Sequence, residues 1–308
     1  MTVENNIPKQ LLKERHPRSI DELAEQLGVG VDVITTTIEA LQKDGYGVKH
    51  NGDIFVRSRT PQDGGEINLA RRFDTKYLHF GIVSDTHMSS KQERLDALHE
   101  MYDIFKQEGV TTVFHAGDIT DGVGVYKGHE NEVKHHNQSD QIEYVQQNYP
   151  KLDGIQTYFI TGNHDLRAYE RGGADPGIQI ARARRDLSYL GQMAATVKLP
   201  GGTKLELLHP AGGSAYALSY KAQRDINNRS PEDIPDVLVY GHFHTSFYMH
   251  YRNLNFIQAP SFKENGQFEK RLGLHSTIGG WIVDAKVGDG KLTRFQPELH
   301  TFNTGKKK

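Results

Sequence analysis

From Tyr77 onward, strand-length apolar runs alternate with segments of helical spacing. Tyr77–Ser84, Thr112–Ala116 and Gln156–Thr161 read as buried strands, and Glu93–Glu108, Asp140–Asn148 and Gly177–Leu187 as helices. Further strands are expected at Ala194–Leu199, Leu205–Leu208, Val237–Tyr240, Phe247–Tyr251, Phe256–Ala259 and Trp281–Ala285, with a helix at Tyr216–Ile226. The early alternation predicts parallel strands, and the later strands predict a second sheet packed on the first. The expected class is therefore α/β, two packed mixed sheets flanked by helices. Gly122–Gln138 reads as a long polar insertion carrying His129, His135 and His136.

The N-terminal pattern is different. Pro8–Arg15 is a candidate helix, and Ser19-Ile-Asp-Glu22 is a capping box before the apolar face Ile20, Leu23, Ala24, Leu27. A third helix is expected from Asp32 to Lys43, followed by two short extended runs around Asn51-Gly52, a strong hairpin signal. Helix, helix, turn, helix and hairpin make a winged-helix layout. We expect a winged-helix domain over residues 1–60, a linker over 61–75, where Thr60-Pro-Gln-Asp-Gly-Gly65 is rich in turn formers, and a catalytic domain over 76–300. Residues 301–308 read as a basic tail.

Composition narrows the chemistry. The chain has no cysteine, which removes disulfides, thiolate metal sites and cysteine nucleophiles. It has sixteen histidines and a formal net charge of −2, so no global positive field draws in nucleic acid. The apolar runs fall short of the ~20 residues a membrane span needs, and no secretory leader is evident. The cytoplasm is the simplest expected location.

Five polar clusters stand in order: Asp85-Thr-His87, Gly117-Asp118, Gly162-Asn-His-Asp165, His209, and Gly241-His-Phe-His244. Most follow a strand-like run, so an open sheet would deliver them to one edge. Residues two apart on an extended chain share a side, so Asp85 with His87, and His242 with His244, can each address one point. Singly, each has a bland reading as a turn, a cap or a surface histidine. In sequence they supply oxygen and nitrogen ligands for two adjacent divalent metals.

The set D-x-H, G-D, G-N-H-[DE], H, G-H-x-H resembles the calcineurin-like metallophosphoesterase superfamily, over roughly Tyr77 to Trp281. That resemblance implies a four-layer sandwich and two metals. The first would be held by Asp85, His87, Asp118 and His244, the second by Asp118, Asn163, His209 and His242. Asp118 would bridge, offsetting the repulsion of two cations. The implied reaction is in-line attack of a metal-bridging hydroxide on phosphorus. His164, beside a ligand but not itself one, would assist the leaving group. Asp121 is expected to orient His164 through its carboxylate, with Asp165 an alternative partner. Manganese is the expected metal, with iron, zinc or nickel also suited to a His-rich site.

Serine/threonine protein phosphatases of this superfamily usually carry Arg where this chain has Gly122, which weakens that reading. Arg167 offers a phosphate contact or a solvent-facing side chain. The catalytic segment is similar to the nuclease-type (SbcD-like) branch, and the domain layout resembles phage phosphoesterases. We therefore expect a DNA-directed phosphodiesterase. The alternative is a small-molecule phosphoesterase acting on cyclic nucleotides, nucleotides or phosphomonoesters, with the N-terminal module as a docking or regulatory unit. Residues 1–60 hold eight Lys/Arg against nine Asp/Glu. DNA contact by that module thus stands beside protein docking or homodimerisation. Arg182, Arg184 and Arg185 form a candidate basic cluster. The Gly212-Gly213 stretch either admits a substrate backbone closely or starts a helix.

Overall fold

The computed structural model describes residues 18–43, 49–51, 54–56, 66–167, 169, 173–213 and 215–302. The chain divides into two compact units, residues 1–62 with 223–234, and 63–222 with 235–308.

In the first unit, β1 (Arg18–Ser19) leads into α1 (Ile20–Leu27) and α2 (Val31–Lys43). The capping box forms as expected: Glu22 N donates to Ser19 Oγ at 3.1 Å and Ser19 N to Glu22 Oε2 at 2.9 Å. Gly28, at φ 65°, closes α1 in the left-handed conformation open to glycine. Leu23, Ala24, Ile34 and Ile38 form a small core. Strands β2 (Lys49–Asn51) and β3 (Ile54–Val56) complete a three-stranded sheet of order β1-β3-β2. The expected helix Pro8–Arg15, residues 61–65 of the expected linker and the tail beyond Phe302 lie outside the described residues.

The second unit contains two six-stranded mixed sheets. One has β5 (Tyr77–Val83), β6 (Thr112–His115), β7 (Gln156–Thr161) and β8 (Leu187–Gln192) in parallel order. It continues antiparallel through β14 (Gly279–Gly288) and β15 (Lys291–Thr301) on the β5 side. The other has the order β12-β13-β11-β10-β9-β4. Its strands are β4 (Glu66–Asn68), β9 (Ala194–Lys198), β10 (Lys204–Leu208), β11 (Val237–Tyr240), β12 (Phe247–Tyr251) and β13 (Leu254–Gln258).

Both faces of β5, β6 and β7 are buried, which is why these strands read as continuous apolar runs. Leu78, Phe80, Ile82, Phe114 and Ile160 face inward and share one core with Val197, Leu205, Leu207, Val237, Val239 and Ile257 of the second sheet. The alternate residues Val83, Val113 and Phe159 join a second core with helices α3 (Leu95–Gln107), α4 (Gln138–Asn148) and α5 (Pro176–Ala183). Phe105 is fully buried there. Truncating such a phenylalanine typically costs about 3–5 kcal/mol.

Several expectations change. The helix expected over Gly177–Leu187 stops at Ala183, and Leu187–Gln192 is strand β8. Arg184 ends it, with its guanidinium held by Asp186 at 2.6 and 2.8 Å and by the carbonyls of Gln146, Tyr149 and Pro150. Arg184 is thus consumed internally, and the triple-arginine cluster does not form. At the C-terminal end, Asp289 and Gly290 take φ of 51° and 74°, the turn that folds β15 back on β14. The polar insertion after Gly122 packs into the fold, with His129 and Val133 fully buried. A last helix, α6 (Leu218–Asn227), starts two residues later than expected, and short α7 (Gln267–Arg271) was not anticipated. Among the described residues, no helix is long and apolar enough to cross a membrane.

Candidate metal centre

Parallel β5, β6 and β7 lie side by side, so their C-terminal ends carry Asp85 with His87, Asp118, and Asn163 with His164 to one edge. Parallel β10 and β11 do the same in the other sheet for His209 and for His242 with His244. The loops after β5 and β6 are stitched together: Asp85 N donates to Gly117 O at 2.9 Å, and His87 N to Asp118 O at 3.0 Å.

Asp85, His87, Asp118, His242 and His244 all adopt positive φ, between 41° and 76°. Left-handed backbone at non-glycine residues costs of order 1–3 kcal/mol each and concentrates at functional sites. Glycines make room for the side chains this turns inward. A Cβ on Gly162 would collide with the Asp118 carboxylate, and one on Gly117 would approach His209 Nδ1 to 2.5 Å. A Cβ on Gly122 would strike the His164 carbonyl, so the arginine found there in protein phosphatases has no space.

Two groups result. Asp85, His87 and His244 each offer one ligand atom within 4.8 Å of the others, as do Asp118, His209 and His242. His87 Nε2 lies 3.0 Å from His244 Nε2 and 3.8 Å from both Asp85 Oδ1 and Asp118 Oδ2. His209 Nε2 lies 3.1 Å from Asp118 Oδ2 and 3.1 Å from Asn163 Oδ1. Asp118 therefore stands between the groups. The other ring nitrogens are committed outward: His87 Nδ1 to Asp121 at 3.0 Å, His209 Nδ1 to the Ala116 carbonyl at 2.8 Å, and His242 Nε2 to the Gly212 carbonyl at 2.9 Å. These bonds place protons on the outer nitrogens and aim the inner lone pairs at carboxylate and amide oxygens. Lone pairs facing lone pairs require cations between them, so the donor set fits divalent metals.

A calcineurin-like phosphoesterase superfamily domain matches residues 78–271. The chain belongs to this superfamily. Two curated relatives of the chain are DNA polymerase II small subunits. That of Archaeoglobus fulgidus is 25% identical over 261 residues, 70% of this chain and 53% of the relative. That of Methanocaldococcus jannaschii is 26% identical over 271 residues, 71% of this chain and 44% of the relative. The chain thus spans about half the length of the curated relatives it matches. Among solved structures, an archaeal phosphodiesterase aligns with a TM-score of 0.42 at 16% identity, covering 72% of this chain and all of that one. A zinc-complexed Vps29 from Entamoeba histolytica aligns with a TM-score of 0.38 at 12% identity, covering 73% of this chain and all of that one.

Without cations, protons balance the buried carboxylates of this site. Burial opposes protonation of His87, but hydrogen bonds to Asp121 and Asp85 outweigh it and raise its pKa to about 10. Burial likewise opposes protonation of His209, and the charge of Asp118 carries it to about 9. Asp118 is held well below the usual carboxylate range against its own burial, chiefly by His209. Burial lowers His164 to about 3 and, with the His209 charge, His242 to about 4.

Two expected roles are redistributed. The Asp121 carboxylate stands 3.7 Å from His164 Nδ1, but its shorter bonds go to His87 Nδ1 at 3.0 Å and His129 Nε2 at 3.2 Å. His164 Nδ1 instead donates to the Asp121 backbone carbonyl at 2.6 Å. The turn at Gly122 brings that carbonyl, rather than the side chain, beneath the ring. Asp165 is no alternative partner, because it accepts from Gly162 N, Ile119 N, Thr120 N and Thr120 Oγ1 at 2.7–3.1 Å. It buckles the Asn163 turn to the Asp118 loop, and burial together with Asp118 raises its pKa to about 6. Arg167 Nε donates to the Gly124 carbonyl at 3.1 Å.

Sequence reasoning missed two supporting residues. Lys263 is buried, 3.0 Å from Glu269 and 3.8 Å from Asp121. His129 was noted only as part of a polar insertion. Each contact spans a loop whose path no local pattern encodes.

Proposed function

We propose that the chain is a binuclear-metal phosphodiesterase acting on DNA. The observation that carries the reading is the convergence of the inner lone pairs of His87, His209, His242 and His244 on Asp85, Asp118 and Asn163. Asp85, His87, Asp118 and His244 would hold one cation, and Asp118, Asn163, His209 and His242 the other. Bound there, the cations would supply Lewis acidity toward phosphoryl oxygens and a nucleophile from water at neutral pH. Manganese is the metal we expect to support turnover.

The chain's own residues prepare the rest. Asp121 fixes the His87 tautomer, and its backbone carbonyl holds the His164 Nδ1 proton, leaving His164 Nε2 for substrate. His164 backbone N donates to Asp118 Oδ1 at 2.8 Å, tying the leaving-group side of the site to the shared carboxylate. Relatives named DNA polymerase II small subunits favour DNA over free nucleotides as substrate, and favour assembly of this chain with another polypeptide. Two helices followed by paired strands support the winged-helix reading of residues 1–60 as a docking module for DNA or that partner.

The test incubates the purified chain and Mn²⁺ with single- and double-stranded DNA, bis-p-nitrophenyl phosphate and p-nitrophenyl phosphate. Cleavage of DNA and the diester is expected. Diester cleavage with intact DNA would move the reading to a small-molecule phosphodiesterase, and preference for the monoester would refute the phosphodiesterase assignment.

A further inference from the structure

His242, a ligand of the second group, is tied to a rim that the mechanism leaves unused. Its Nε2 bonds the Gly212 carbonyl, and Gly212 turns at φ 86°. The chain then returns to the same spot. The Lys221 ammonium lies 4.8 Å from the centre of the Phe243 ring and 3.6 Å from where a Cβ on Gly212 would stand. Phe243 is itself between the two ligand histidines, and its ring centre is 5.2 Å from that of His242. Tyr216 lies four residues beyond Gly212, so its Cα is within roughly 14 Å of Gly212 by chain length alone. Its side chain is wholly exposed, and Leu218 and Tyr220 close by are also exposed.

We propose that Gly212, Tyr216, Lys221 and Phe243 form a nucleotide-binding rim for single-stranded DNA, with Tyr216 stacking on a base next to the phosphate at the metal centre. The inference rests on the DNA reading above and deepens it. An exposed aromatic ring within roughly 14 Å of the loop that holds His242 matches an unpaired base, whose π-face is free; in a duplex that face is already stacked. The Lys221 ammonium, over the Phe243 ring, matches the backbone phosphate in charge. A phosphomonoester without a base would leave Tyr216 unused. The chain's overall charge of −2 means that stacking, more than counterion release, must carry the affinity.

The test uses the full chain in EDTA, where no cleavage occurs, and measures fluorescence anisotropy of a labelled oligo-dT and of its duplex with oligo-dA. The single strand should bind more tightly. Tyr216→Ala should weaken it about tenfold, and Tyr216→Trp should restore it. Lys221→Met should reduce the slope of log affinity against log salt by about 0.7. The melting temperature of Tyr216→Ala should equal that of the wild type. Equal affinity of Tyr216→Ala and wild type for the single strand, or preference for the duplex, would overturn the rim. Wild-type protein that hydrolyses bis-p-nitrophenyl phosphate but binds no DNA would instead overturn the DNA reading itself.

Discussion

Loading the centre should expel protons, and the structure says how many. His87 and His209 titrate near 10 and 9 in the metal-free chain, so at pH 7.5 both inner nitrogens carry a proton. A cation binds only the bare nitrogen, so filling both groups should release about two protons. Lifting them at pH 7.5, about 2.5 and 1.5 pH units below their titration points, costs on the order of 5 kcal/mol of metal affinity. The combined affinity should therefore rise about a hundredfold per pH unit between pH 6.5 and 8.5. Titration calorimetry with MnCl₂ at pH 7.5, in two buffers of different ionisation enthalpy, counts the protons directly. Release of less than one proton, or an affinity that does not change with pH, would show that these lone pairs are not the ligands.

Other consequences are separable. Asp118→Ala removes the one carboxylate shared by both groups, and metal analysis after gel filtration should find neither site filled and no diester turnover. His164→Ala should keep its metal content while kcat on a poor-leaving-group diester falls about 10²–10⁴-fold, the range for a lost proton-transferring group. Asp165→Ala orphans the donors of Gly162, Ile119 and Thr120, partly offset by relief of a buried charge, and should cost about 3–5 kcal/mol in urea unfolding. In EDTA, His87 and His209, both raised above 6.5, stabilise the fold fully below that pH, and this stability is lost as pH rises through 9 to 10. Melting temperatures should therefore fall over pH 7–10 in EDTA and hold steady with Mn²⁺.

The residues that meet at the candidate metal centre were legible because most of their motifs follow an apolar strand, and a short motif is a local event. Asp85 needs only Ile82-Val83-Ser84 before it to be placed at a strand end. What escaped depends on distance along the chain or on competing patterns. Strand Leu187–Gln192 was not read, and its first residue was absorbed into a helix, because the apolar spacing runs on past Ala183. Only the carbonyls of Gln146, Tyr149 and Pro150, gathered around Arg184, show why the helix must stop. Strand β15 carries Pro297 and exposes most of its residues, which hid it as an edge strand, although Asp289-Gly290 was a turn signal available to reading. Asp121 meets His164 more closely through its backbone carbonyl, at 2.6 Å, than through its carboxylate, at 3.7 Å, a difference set by the turn at Gly122 that no local pattern encodes. Lys263 sits nearly a hundred residues beyond His164, and no pattern connects them.

The small residues of each motif answer to ligands contributed by the others. Gly162 is kept bare by Asp118, Gly117 by His209, and Gly122 by the carbonyl of His164. Adding a methyl group at any one of them would be felt first at a residue of a neighbouring loop, not at its own. The five stretches are thus interlocked like the wards of a single lock, and none can drift in shape without its neighbours moving in step.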